Sequence, residues 1–274
     1  MLDIILFVLI GITVGSFGTL IGAGGGFILT PILIFMFPKL PPATITAISM
    51  TTVFFNSSSG SVAYMRMKRV DYKTGIIFAI ATLPGSIAGT IVTHYISISL
   101  FHIIFGIFMI LFASIIIVKS KMGDNSAAFD KKGLFRARRK LIDITNHTAE
   151  FSFNMATGII ISLFVGFISG LLGIGGGIVH VPALVFLGFP AHFATATSHF
   201  VLAISSLTSL IVHITDGSLN NSIKIAGCIG IGAIVGAQIG ARLSSKVKGS
   251  VLMICLAVAL ILVGVRIFIL GIMA

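Results

Sequence analysis

Two stretches of this chain, GAGGGFILTP at residues 22–31 and GIGGGIVHVP at residues 173–182, put bare backbone where side chains would normally be. Glycine costs about 1 kcal/mol against alanine inside a helix, and proline about 3. In lipid the freed backbone groups have no water to bond. Runs such as Gly24, Gly25, Gly26 and Gly175, Gly176, Gly177 therefore read as unwound turns. In the first copy a short helix is expected to restart before or at Thr30–Pro31. The start of a helix carries unpaired N–H donors and partial positive charge, which makes it an anion site. The competing use of glycine is close helix packing, which needs one small residue per turn. The pairs Gly11/Gly15, Gly18/Gly22, Gly85/Gly89, Gly166/Gly170 and Gly236/Gly240 fit packing; three glycines in a row fit a break.

Other polar residues lie inside apolar runs. Asn56, Ser57, Ser58 and Ser59 form one group; Ser205, Ser206, Thr208 and Ser209 form another. Neutral donors of this kind can hold an oxyanion or hydrogen-bond across helices, and the sequence leaves both open. Gln238 is a further neutral candidate. His180, His199 and His213 are ionisable groups within apolar segments, which are functional candidates by position. Histidine titrates near neutrality, so it can carry a proton or pair with an anion. His180 follows the second glycine run directly and is the best placed; a hydrogen-bonded bundle residue is the alternative. The pairs Thr44/Thr46 and Thr195/Thr197 sit where N-caps are expected.

The elements that must position these groups are membrane helices. Hydrophobic residues make up 57% of the chain and charged residues 9%, with a mean hydropathy of +1.16. A soluble domain carries about 25% charged residues. Apolar runs of spanning length recur, so the fold class is an all-α integral membrane protein, a polytopic helical bundle. The segments are 3–22, 25–37, 43–65, 74–95 and 98–118, then 153–172, 175–188, 194–215, 224–243 and 250–271. A first repeat (1–118), a basic linker (119–151) and a second repeat (152–274) follow. The halves align without gaps at one offset. Gly22, Pro31, Thr44, Thr46, Gly85 and Gly89 match Gly173, Pro182, Thr195, Thr197, Gly236 and Gly240.

The net charge of +11 resides in a few loops, so it does not imply a nucleic-acid partner. Arg66, Lys68, Arg69 and Lys73 mark one cytoplasmic loop; the linker and Arg242, Lys246 and Lys248 mark others. The loops matching the first and third clusters, 216–224 and 94–99, are nearly free of Lys and Arg. The halves thus prefer opposite orientations, as in inverted-topology repeats with broken or re-entrant helices at the glycine runs. The expected N-terminus is outside and the linker cytoplasmic. Three and five crossings per half both satisfy this parity. The FRARRKL stretch of the linker reads as solvated, or as lying against lipid headgroups.

The duplicated GxGGGxxxxP motif, followed by PPATITAIS and FATATSHF, resembles the sulfite exporter TauE/SafE family over nearly the whole chain. The resemblance implies a secondary carrier of small sulfur-containing anions such as sulfite, sulfoacetate or related sulfonates, in the cell's inner (plasma) membrane. The histidines are no part of that pattern. A proton or anion gradient is the expected driving force. An anion channel of the same architecture is the alternative, and an intramembrane enzyme a weaker one: His180, His192 and His199 match no metal-hydrolase spacing. No cofactor or metal is expected. The partners are the anion and membrane lipid; the oligomeric state is open, a homodimer included.

Overall fold

The computed structural model describes residues 2–122, 136–144, 148–244 and 249–273. Parts of the predicted linker, including Asp124 and Asp130, and the basic residues Lys246 and Lys248 lie outside the described residues. Among the described residues ten α-helices form two sets of five: α1 Leu2–Ile21, α2 Gly26–Met36, α3 Pro42–Arg66, α4 Tyr72–Thr93 and α5 Ile98–Met122. The second set is α6 Met155–Leu172, α7 Gly177–Phe186, α8 Ala191–Thr215, α9 Ile223–Leu243 and α10 Gly249–Met273. The chain is a polytopic membrane protein whose bundle is all-helical. Among the described residues five helices, α1, α4, α6, α8 and α9 (the last with Asn220–Ser222 before it), are long and apolar enough to cross a bilayer by those criteria. Their outward faces carry large apolar residues such as Ile80, Ile160, Phe164, Ile211 and Ile231, as lipid as solvent demands.

Glycines set the helix contacts and reveal their directions. An added Cβ at Gly15 would lie 2.7 Å from Ala233 O, and one at Gly236 would lie 2.8 Å from Ser16 N. Gly11 faces Ile229 and Gly240 faces Leu20, so α1 and α9 run side by side in one direction. The second copy repeats this: Gly85 faces Leu163, Gly89 faces Phe167 and Gly170 faces Thr90, so α4 and α6 run together. On α3 and α8 the order reverses, with Gly60 against His199 and Thr46 bonded to His213. α5 and α10 are also antiparallel: Gly106 meets Phe268 and Gly271 meets Ile103. Ser59 bonds Ile234 O on α9, and Phe55 faces Gly230, so α3 follows α9. Ser86 bonds Ser205 O, and Asp71 N bonds Thr197, so α4 follows α8. Removing Cβ lets the backbones approach, which is how small residues hold membrane helices together. Gly18 and Gly22 differ from the other predicted packing glycines: an added Cβ at Gly18 would strike Gly25 N inside the same helical hairpin, and Gly22 lies in the turn after α1.

The predicted linker contains a β-hairpin. β1 (Arg136–Ile142) pairs antiparallel with β2 (Thr148–Asn154), placing Arg136 opposite Asn154 and Lys140 opposite Glu150. FRARRKL is thus largely a strand. The Lys140 ammonium, 2.7 Å from Glu150, holds that carboxyl below its ordinary range by hydrogen bond and charge. The hairpin is tied to the bundle. Arg139 Nε donates to Asp71 at 3.2 Å and to Thr74 at 3.1 Å, and Arg69 lies 3.5 Å from Asp143. Asp71 caps α4 by accepting from Thr74 N; Asn154 caps α6 by accepting from Ala156 N and Thr157 N. Phe151 and Phe153 pack on Phe189, with ring centroids 4.5 and 4.7 Å apart. This end of the bundle is the hairpin face, and the end with the α4–α5 turn is the far face.

Candidate functional site

Each glycine run turns the chain back on itself. Gly22, Gly24 and Gly25 have φ of 86°, 75° and 84°; Gly173, Gly175 and Gly176 have 68°, 78° and 66°. These left-handed conformations cost an L-residue about 1–2 kcal/mol and glycine nothing. α2 then runs back along α3: Gly26 faces Val53, and Thr30 bonds Ser49. α7 likewise runs back along α6, with Gly176 beside Ser169 and His180 bonded to Ser162. The short helices restart at Gly26 and Gly177, so Pro31 and Pro182 fall inside them. Both segments are therefore helical hairpins, α1–α2 and α6–α7.

The two tips meet inside the bundle. An added Cβ at Gly26 would lie 2.6 Å from Gly173 O, and one at Gly177 would lie 2.5 Å from Gly22 O. Their level is that of Val53 and Leu202, near the middle of α3 and α8, whose side chains touch Gly24, Gly175 and Gly177. Serines of the opposite half hold the tip carbonyls. Ser49 donates to Gly173 O at 2.5 Å and Ser198 to Gly22 O at 3.4 Å; Thr30 also donates to Gly173 O at 3.2 Å. In α2 the first intrahelical bonds run from Ile28 N and Leu29 N to Gly25 O. The N–H groups of Gly26 and Phe27 precede them, as the first donors of any helix do.

Beside the first tip is a buried polar cluster. The Thr19 hydroxyl donates to Asn56 Oδ1 at 3.0 Å, so the ring nitrogen His199 Nε2, 3.2 Å away, is the donor to Thr19. Tyr64 donates to Thr19 O at 2.8 Å and sets its ring edge against His199. Three atoms of α3 are left without a partner, Asn56 Nδ2, Ser57 Oγ and Ser61 Oγ, while the His199 ring also interacts with the Gly22 backbone. Ser57 Oγ is close to Gly24, 3.2 Å from where its Cβ would be. At 100° per residue, Val53, Asn56, Ser57, Gly60, Ser61 and Tyr64 span an arc of roughly 140° on α3. An unpartnered buried donor costs about 1–3 kcal/mol. Three on one face of a helix are a place for an acceptor-rich ligand.

The remaining predicted residues separate from this cluster. Gln238 Nε2 donates to Ser59 O and Ser59 Oγ at 2.9 and 2.8 Å, a bond between α3 and α9. Ser209 bonds Ser86 at 2.8 Å and Thr90 at 3.0 Å, joining α4 and α8. Thr208 donates to Ile204 O of its own helix, and Ser58 is half-buried outside the unpartnered set. His180 belongs to the second tip. Ser162 donates to Gly158 O and stands 3.3 Å from His180 Nε2; Phe78 packs edge-on against the ring, and Nδ1 has no partner. Ser169 Oγ, next to Gly176, is also unpartnered. Thr46 and Thr197 are not N-caps: those positions are Pro41 and Pro190, Thr46 donates to Ala43 O, and Thr197 accepts from Asp71 N. Ser61, Thr19, Tyr64 and Ser169 carry no motif. Ser61 has one signal, its place one helical turn beyond Ser57.

Comparison with known proteins identifies the family of the chain. The profile described as sulfite exporter TauE/SafE matches residues 7–267. A Bacillus subtilis (strain 168) protein named "Probable membrane transporter protein YunE" is 33% identical over 278 residues, 99% of each chain. A Methanocaldococcus jannaschii protein, also named a "Probable membrane transporter protein", is 31% identical over 264 residues, 92% of this chain and 90% of its own. A Haemophilus influenzae protein of the same description is 26% identical over 234 residues, covering 85% and 80%. No solved structure matches the chain.

Proposed function

This chain belongs to the sulfite exporter TauE/SafE family of membrane transporters, and from that premise we propose that it is a secondary carrier of small sulfur-containing anions such as sulfite, sulfoacetate or related sulfonates. The observation that carries the reading is the set of unpartnered donors, Asn56 Nδ2, Ser57 Oγ and Ser61 Oγ, on the face of α3 that meets the α1–α2 tip. A sulfonate or sulfite offers three acceptor oxygens in a compact head. Neutral donors and a helix start favour such an anion without a fixed cation that would hold it too tightly to release. His180, whose Nδ1 has no partner, and His199, beside the first tip, are the candidates for a coupled proton.

The helix directions support an inverted repeat. α1, α3 and α9 run one way and α4, α6 and α8 the other, so equivalent helices oppose each other. In this reading each half makes three crossings plus a re-entrant hairpin, and alternating access rocks one half against the other around the tips. Arg66, Lys68, Arg69, Arg242 and the strand arginines gather on the hairpin face, which supports a cytoplasmic hairpin face and an external N-terminus in the inner membrane.

The test is flux into proteoliposomes across sulfite, sulfoacetate, taurine, sulfate and thiosulfate. Saturable uptake of one of the sulfur anions with countertransport is expected, and Ser57→Ala should weaken apparent affinity. Single-channel currents, or wild-type affinity in Ser57→Ala, Ser61→Ala and Asn56→Leu alike, would overturn it.

A further inference from the structure

A second polar cluster lies away from the tips, at the far face. His94 ends α4 and Asp216 ends α8, each as the C-cap residue, while His213 occupies the last turn of α8. His94 Nε2 is 2.6 Å from Asp216 Oδ2, and His213 Nδ1 is 3.6 Å from the same oxygen. One ligand atom from each residue falls within 4.8 Å of the other two. The His213 side chain is fully buried, and its Nδ1 has no hydrogen-bond partner.

The neighbour of His213 decides which nitrogen carries its proton. Thr46 has one hydroxyl hydrogen and donates it to Ala43 O at 3.0 Å. While Thr46 keeps that bond, His213 Nε2, 3.3 Å from the hydroxyl, is the donor. In the neutral ring this leaves Nδ1 as a bare lone pair aimed at a carboxylate oxygen. A buried acceptor faces a partly exposed one, and a cation between them relieves the conflict. The C-terminal ends of α4 and α8, both here, add negative potential. Burial pushes the Asp216 carboxyl up, but hydrogen bonds from Ser218 and His94 outweigh it and keep the group below its ordinary range.

We propose that His94 Nε2, His213 Nδ1 and Asp216 Oδ2 form a site for one divalent transition-metal cation of the zinc class. Two imidazoles and a carboxylate suit that class, with bonds of about 2.0–2.2 Å and ligand atoms roughly 3.3 Å apart in a tetrahedral shell. The present separations, 2.6 and 3.6 Å with the third within 4.8 Å, must change by roughly 0.3–1.5 Å to reach that shell, chiefly by movement of the partly exposed His94. Thr46 holds the ligand ring by its other nitrogen, as outer-shell partners of metal-bound histidines do. His94 comes from the first half of the chain and the other two ligands from the second, so the ion would clasp the halves at the far face. The first-half positions matching His213 and Asp216 are Val62 and Met65, so the site exists at one face only.

The experiment uses the full chain in detergent, stripped with chelator and free of any histidine tag. Cobalt(II) is titrated by its visible absorption, and zinc by competition with a chromophoric chelator. One ion per chain is expected, with tetrahedral-type cobalt bands. His94→Ala and Asp216→Asn should each weaken binding about tenfold or more, with thermal unfolding confirming that both are folded. His94 is partly exposed, so its variant remains informative if a change at buried His213 prevents folding. Absence of stoichiometric binding, or equal affinity in wild type, His94→Ala and Asp216→Asn, would overturn the site and leave a proton as the only cation between His213 and Asp216.

Discussion

The meeting of the two hairpin tips can be tested with one methyl group. In Gly26→Ala the new Cβ would lie 2.6 Å from Gly173 O, 2.8 Å from Ile174 C and 2.8 Å from Val53 Cγ2. Ordinary carbon–oxygen contact begins near about 3.2 Å, so the tips must part by more than half an ångström. Gly26 has no positive φ, so backbone strain does not enter, and the helix position itself favours alanine by about 1 kcal/mol. Overpacking costs about 1–3 kcal/mol when side chains must yield. Here the obstacle is backbone on a second tight turn, so the upper end applies, and the net loss is about 2 kcal/mol. At about 2–4 °C per kcal/mol for a chain of this size, the unfolding midpoint falls by roughly 4–8 °C. Gly227→Ala is the control, because nothing lies within 4 Å of its Cβ. The chain has no tryptophan but two cysteines, so unfolding is best followed with a thiol-reactive dye. Gly177→Ala, whose Cβ meets Gly22 O and Ala23 Cα, should behave like Gly26→Ala. If both variants melted with the control, the tips would not touch, and the geometry argued for the site would be wrong.

Ser57→Ala and Ser61→Ala remove buried hydroxyls that bond nothing in the protein, so stability should hold or rise slightly while anion affinity falls about 5–20-fold; isothermal titration with a sulfonate separates the two effects. Gln238→Leu should do the reverse, lowering the unfolding midpoint by the worth of an interhelical bond, about 0.6 kcal/mol, with affinity unchanged. Single cysteines at Lys140 and Asn220 should react with an impermeant reagent from opposite sides of the membrane; labelling of both from one side would refute the inverted repeat. Arg139→Ala should free the β-hairpin from the α4 N-cap, seen as faster proteolysis near residues 136–154, because its guanidinium bridges Asp71 and Thr74.

Hydropathy, duplication and charge distribution are properties of the chain alone, and they carried the helical membrane class, the two sets of five helices and the family. They could do so because in lipid every spanning backbone group must be paired within its own helix, which makes each segment legible by itself. The triple glycines were legible as breaks for the same local reason: Gly24, Gly25, Gly175 and Gly176 adopt φ values that other residues resist. What a break becomes is not local. Whether α2 continues across the membrane or returns depends on Val53, Ser49 and the opposing Gly173 carbonyl, which are distant in sequence. The same holds for the polar residues. Ser57, Ser59 and Ser209 have one chemistry, yet Ser59 is spent on Gln238 and Ser209 on Ser86, while Ser57 is left facing the tip. The β-hairpin was hidden because Arg136–Lys140 reads as a solvated basic run until Asp71 and Glu150 are brought to it. Nothing in the sequence joins His94 to His213, and only the packing of α4 along α8 sets both against Asp216. A hydrogen bond needs its partner within about 3 Å, and only the tertiary structure decides which partners are that close.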